Sequence, residues 1–129
     1  MILVDTSVWI DLFKGKDTAE VCQLENFLEA AEGIAICGII LTEVLQGVKD
    51  DKQYARILER FDDFYFLEMS RTTYVRAANL FRTLQKKGIT VRKSVDCIIA
   101  AVAIENNIPL LHNDRDFERL HQHAGLKVV

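Results

Sequence analysis

Short, unbroken apolar runs that alternate with amphipathic segments predict one α/β domain over residues 1–129, with a mostly parallel sheet of about five strands between two helical layers. Length agrees, because 129 residues is a typical single-domain size. No internal repeat or Pro/Gly-rich linker divides the chain, and its single proline, Pro109, stands before a short strand.

Met1–Val4 has the length of a strand, and Asp5, Thr6 and Ser7 can cap a short helix that begins near Val8. Val21, Leu24, Phe27, Leu28 and Ala31 recur at helical spacing until Gly33 stops the helix. Ile34–Cys37 is the second strand. A helix around Glu43 spans Ile39–Val48, and Tyr54, Ile57, Leu58 and Phe61 form the apolar stripe of the next. Phe64–Leu67 is the third strand. After Ser70, a long helix turns Tyr74, Ala77, Ala78, Phe81 and Leu84 inward and Arg76, Arg82 and Lys86 outward, ending at Gly88. Ser94 caps a helix that runs through Glu105 and stops at Asn106 and Asn107. Ile108–Leu111 is the fourth strand, Asn113 or Asp114 caps a last short helix, and Leu126–Val129 closes the sheet.

Half the residues are apolar and 27% are charged, which excludes a disordered chain. The longest charge-free apolar stretches, Gly33–Thr42 and Cys97–Ile104, fall short of the roughly 18 to 20 residues that cross a bilayer. Met1–Phe13 lacks a basic start, and Asp5 and Asp11 cut its apolar run, so a cytoplasmic protein without a signal peptide is expected. Cys22, Cys37 and Cys97 make neither a Cys-x-x-Cys pair nor a disulfide framework, and they read as small buried hydrophobes. Nothing near Cys97 in sequence would lower its pKa for nucleophilic work.

Charge is unevenly placed. Arg71, Arg76, Arg82, Lys86, Lys87, Arg92 and Lys93 lie in a stretch without an acid, which leaves the rest of the chain at −10. Such a stretch suits either a solvated helix face or a phosphate-binding surface.

Ligands of open α/β sheets bind beyond the carboxyl ends of the strands. Asp5 follows the first strand, and Asp114 and Asp116 follow the fourth. Each alone is explained by turns and helix caps. Asp96 and Glu43 are harder to explain, because both interrupt apolar helices, in SVDCIIAAVAIE and CGIILTEVLQG. A helix dipole stabilises a carboxylate by roughly 0.3 to 1 kcal/mol, less than the several kcal/mol that its burial costs. Either a salt bridge or a shared cation must compensate. If the acids converge, their oxygen-only donor set selects Mg²⁺, with Mn²⁺ as a substitute, and not zinc. His112, His121 and His123 offer a competing zinc reading with Asp114, but two of them lie in the charged segment ERLHQHAG and read better as surface or RNA-contacting residues.

Taken together, LVDTSVWIDLF, TEVLQG, SVDCIIAAVA and LLHNDRDFERL resemble the PIN domain, and specifically the VapC-type toxins of bacterial toxin-antitoxin pairs. Each motif is weak alone, but their order and spacing across the whole chain are specific. The resemblance implies an α/β/α domain and metal-binding catalytic acids at Asp5, Glu43, Asp96 and Asp114, with Asp116 as an additional or alternative member. It places Thr6 and Asn113 beside the metal cluster. It also implies a metal-dependent endoribonuclease that hydrolyses phosphodiester bonds in cellular RNA, a cognate VapB-type antitoxin and a homodimer, for which Trp9, Tyr54, Tyr65 and Tyr74 are candidate interface residues. No residue is an obvious general base, and Asp116 and a metal-bound hydroxide are the candidates. The basic stretch from Arg71 to Lys93 would bring RNA to an otherwise repulsive acidic pocket.

Two other readings compete. A phospho-receiver signalling domain shares the size and the acidic Mg²⁺ pocket, but it needs an acid pair after strand one and an acceptor Asp ending strand three. A catalytically silent PIN-like module would bind RNA or protein without cutting.

Overall fold

A computed structural model describes residues 1–129. Strand β1 (Ile2–Val4) leads into α1 (Thr6–Phe13) and α2 (Ala19–Glu29), and β2 (Ile34–Cys37) into α3 (Gly38–Gln46) and α4 (Asp51–Phe61). Then come β3 (Tyr65–Leu67), α5 (Arg71–Lys86), α6 (Ser94–Glu105), β4 (Leu110–Leu111) and α7 (Arg115–Ala124). The four strands are parallel in the order β3-β2-β1-β4, with Leu3 opposite Ala35 on one side and Leu110 on the other. A receiver domain has the order 2-1-3-4-5, so this topology is a different one.

The chain steps outward from β1 to β3 and then returns to the far side of β1 for β4. That reversal puts the topological switch point at the carboxyl ends of β1 and β4, where such sheets bind ligands.

The predicted fifth strand reduces to a single bridge between Val128 and Leu110, held by Leu110 N to Lys127 O and Val129 N to Leu110 O. Only Val128 pairs with Leu110, so no continuous strand forms after Gly125, whose left-handed φ of 78° ends α7. Ser94 is the first residue of α6 and not its cap. Lys93 holds that position, with no side-chain cap.

Ile2, Leu3 and Val4 are all buried, as an unbroken apolar run covered on both faces requires. Helix α6 is buried on nearly every side, and Ala100, Ala101 and Ala103 let its neighbours approach closely. Edge strand β3 departs from this pattern, with Tyr65 58% and Phe66 49% exposed. Trp9, expected among interface residues, belongs to the core instead. It packs 4.8 Å from Phe61 and 5.4 Å from Phe64. Tyr54, Tyr65 and Tyr74 are exposed, so Tyr74 does not face inward as its spacing suggests. Cys22 is exposed too, whereas Cys37 and Cys97 are buried.

Candidate active site

Asp5 follows β1 and caps α1, its Oδ2 accepting from Ser7 N at 3.0 Å and Ser7 Oγ at 2.5 Å. Its own N–H donates to Leu111 O at 2.9 Å, which ties the acid to the end of β4. Asp114 caps α7 by accepting from Asp116 N at 3.0 Å, and Asp116 lies in the first turn of that helix. Asp96 occupies the first turn of α6. These placements bring ligand oxygens of Asp96, Asp114 and Asp116 within 4.8 Å of one another.

Asp5, Asp96 and Asp116 are buried. Burial raises the pKa of Asp5, with Glu43 adding to it against the Ser7 hydrogen bonds. Burial pushes Asp96 up to about 7, with Asp5, Asp114 and Asp116 raising it further against Lys93. Asp114 is held below the usual carboxylate range. Its burial opposes this, but the Asp116 N–H, Lys93 and Arg92 prevail. Oxygen Oδ2 of Asp96 is buried without a hydrogen-bond partner. A buried carboxylate oxygen without a donor, surrounded by further acids, fits a hard divalent cation as the missing partner.

Glu43 lies outside this tight group of three, on the middle of α3, and accepts from Thr6 Oγ1 at 2.8 Å. Asn113 touches the cluster only through others: its N donates to Ser7 Oγ at 3.1 Å and its Nδ2 to Asp11 at 3.1 Å. Burial and the neighbouring Asp96 and Asp116 push the Cys97 thiol up to about 11, which removes it as a nucleophile.

The basic residues divide into three groups. Arg92 reaches Asp116 Oδ2 through Nε at 3.2 Å and Asp114 Oδ1 through Nη2 at 3.3 Å, and Lys93 lies 3.7 Å from Asp114. Arg76 is paired with Glu105 at 3.5 Å. Arg71, Arg82, Lys86 and Lys87 are exposed along α5 and just beyond it.

The histidines do not join the acids. His112 Nδ1 accepts from Asp114 N at 3.2 Å, its Nε2 contacts Glu118 at 3.0 Å, and His121 bonds Leu126 O.

The profile of the PIN domain family matches residues 2–122. The chain belongs to the PIN domain family. A VapC ribonuclease of Mycobacterium bovis is 33% identical to it over 131 residues, covering 100% of this chain and 98% of the relative. Ribonuclease VapC1 of Methanocaldococcus jannaschii is 34% identical over 129 residues, covering 98% of this chain and 85% of the relative. Among solved structures, VapBC2 of Rickettsia felis bound to promoter DNA superposes with a TM-score of 0.76 at 22% identity, covering 100% of this chain and 98% of that one. A toxin-antitoxin complex of Klebsiella pneumoniae gives a TM-score of 0.71 at 29% identity, covering 91% of this chain and 90% of its counterpart.

Three features of this PIN domain's site escaped the sequence. Ser7 reads as a cap residue, yet its hydroxyl links Asp5 to the backbone of residue 113. His112 buttresses the Asp114 turn through that residue's N–H. Arg92 precedes Asp96 by four residues, and its proximity to α6 was the available signal, but its pairing with the two acids after β4 depends on the tertiary fold.

Proposed function

We propose that this PIN domain is a divalent-metal-dependent endoribonuclease, the toxin of a pair whose antitoxin is VapB-like. The observation that carries the proposal is the convergence of Asp96, Asp114 and Asp116 around an Asp96 oxygen with no donor. Full-length likeness to proteins named VapC ribonucleases supports the reaction class. Likeness to a toxin-antitoxin complex supports the partner.

In this reading Asp96, Asp114 and Asp116 hold Mg²⁺ or Mn²⁺, and Asp5 and Glu43 complete the acidic wall. When bound, such an ion polarises a phosphodiester and makes an attacking water more acidic. Ser7 holds Asp5, Thr6 orients Glu43, and Asn113 and His112 fix the turn that carries Asp114. Asp116 Oδ2 already accepts from Arg92 N and Nε, which suits a ligand better than a base. Arg71, Arg82, Lys86 and Lys87 supply the positive path for RNA, and Arg76, Arg92 and Lys93 contribute less while Glu105, Asp114 and Asp116 pair with them.

No helix is long and apolar enough to cross a membrane, which accords with a toxin working in the cytoplasm. The exposed tyrosines Tyr54, Tyr65 and Tyr74 are available to a homodimer. An antitoxin that silences this pocket needs a basic end, most suitably an Arg that pairs with Asp96 or Glu43.

Expression in a host without the antitoxin tests the reading. Wild type arrests growth, Asp96→Asn does not, and the basic protein encoded alongside restores growth and co-purifies with the toxin. Unimpaired growth with abundant folded wild type contradicts the toxin assignment. Arrest by Asp96→Asn equal to wild type favours the silent binding module.

A further inference from the structure

Arg92 lies in the loop between α5 and α6 and holds the acids from three positions. Its backbone N donates to Asp116 Oδ2 at 3.3 Å, its Nε to the same oxygen at 3.2 Å, and its Nη2 to Asp114 Oδ1 at 3.3 Å. Its side chain is 61% exposed, whereas that of Asp116 is 2% exposed. The guanidinium therefore sits on the solvent side of a buried carboxylate. Asp114 and Asp116 also contribute oxygens to the group of three in which Asp96 takes part, so the guanidinium neutralises two of the carboxylates that a divalent ion would need.

We infer that Arg92 is a cationic placeholder: it occupies Asp114 and Asp116 until a divalent ion displaces it, and once displaced it binds the phosphate of the incoming RNA. The inference rests on the metal reading above and adds an exchange to it. Two features make the exchange feasible. The guanidinium is 61% exposed, so it rehydrates readily on leaving, and an ion that also satisfies the orphaned Asp96 oxygen can take its place. The backbone N–H of residue 92 stays on Asp116 when the side chain leaves, so the loop keeps its anchor and the guanidinium remains within a side-chain length of the cluster. A freed guanidinium is suited to bidentate phosphate binding.

The two roles give opposite signs for two ligands. Removing the guanidinium strengthens metal binding and weakens RNA binding. An arginine that merely supported the site would weaken both, and a simple RNA contact would leave the metal unaffected.

The test titrates Mn²⁺ calorimetrically into metal-stripped wild type, Arg92→Gln, Arg92→Lys and Arg56→Gln, the last removing an exposed charge on α4. It then measures binding of a non-cleavable 2′-O-methyl RNA with Mn²⁺ present. Arg92→Gln should bind Mn²⁺ roughly three- to tenfold more tightly and the RNA several-fold more weakly. Arg92→Lys should lie between it and wild type, and Arg56→Gln should match wild type for Mn²⁺. Thermal melting gives a second readout, because Arg92→Gln should melt lower when metal-free and gain more from Mn²⁺ than wild type does. Equal or weaker Mn²⁺ binding by Arg92→Gln, or unchanged RNA affinity, overturns the placeholder while leaving the metal site in place. Absence of Mn²⁺ binding in wild type overturns the metal reading and the placeholder with it.

Discussion

Thr6 Oγ1 donates to Glu43 Oε1 at 2.8 Å across 37 residues of sequence, joining the first turn of α1 to the middle of α3. This bond fixes one of the two candidate acids, Glu43 and Asp5, that stand apart from the tight Asp96, Asp114 and Asp116 group. Thr6→Val keeps the shape and removes the donor, so RNA cleavage should fall about 10- to 100-fold with little loss of thermal stability. Thr6→Ser should restore most of the rate. Initial rates and melting curves of the pair check this, and a Thr6→Val enzyme as fast as wild type would show that Glu43 needs no such orientation.

Asp96 sets a dependence of stability on pH. Its folded pKa of about 7 lies above the roughly 3.9 of an unfolded aspartate, so between those values the metal-free native state holds a proton that the unfolded chain has released. Stability from this group is therefore lost as pH rises through that window, and its cost is fully felt above about pH 7. Asp96→Asn does not titrate. Metal-free, it should be more stable than wild type at pH 8 by up to about 4 kcal/mol, with the difference vanishing toward pH 4. Urea unfolding across pH measures it. Destabilisation by Asn at pH 8 would mean that a salt bridge, and not repulsion, holds Asp96 in place.

Arg82, Lys86 and Lys87 present positive charge away from the acids. Neutralising all three to Gln should weaken RNA binding across unrelated sequences and flatten its dependence on salt by up to about 2 units, at roughly 0.7 per single-strand phosphate contact. Lys87 Nζ also reaches His123 O at 3.4 Å, so its share should be the smallest. Binding titrations over a range of KCl concentrations check this, and an unaltered slope would assign these residues to solvation alone.

The fold was readable where local pattern and burial agree. The run Ile2–Val4, Ile57 and Phe61 of α4 and the mostly apolar α6 each declare their place because one physical demand, apolar burial, dominates there, whereas Tyr54 and Leu58 of the α4 stripe lie exposed. The last strand failed because Leu126–Val129 has the composition of a strand but only enough partner backbone at Leu110 for one bridge. Tyr74 and Trp9 were misplaced in opposite directions, since helical spacing does not say which aromatic residue meets a neighbouring layer. In the site, Asp96 and Glu43 stood out as acids in apolar helices. Asp5, Asp114 and Asp116 acquire significance only from the order β3-β2-β1-β4, which sets β1 beside β4. The hold of Arg92 on Asp114 and Asp116 arises from the packing of α5 and α6 against α7, which local spacing does not reveal.

RNA cleavage through a divalent ion held by Asp96, Asp114 and Asp116 is the proposed reaction. Its most direct test incubates purified protein with structured RNA and Mg²⁺ or Mn²⁺, with excess chelator, and with chelator followed by restored metal, in parallel with folded Asp96→Asn. Cleavage should appear with metal, stop with chelator, return on restoration, and be absent in Asp96→Asn. Full cleavage in excess chelator, or by Asp96→Asn, would contradict the account.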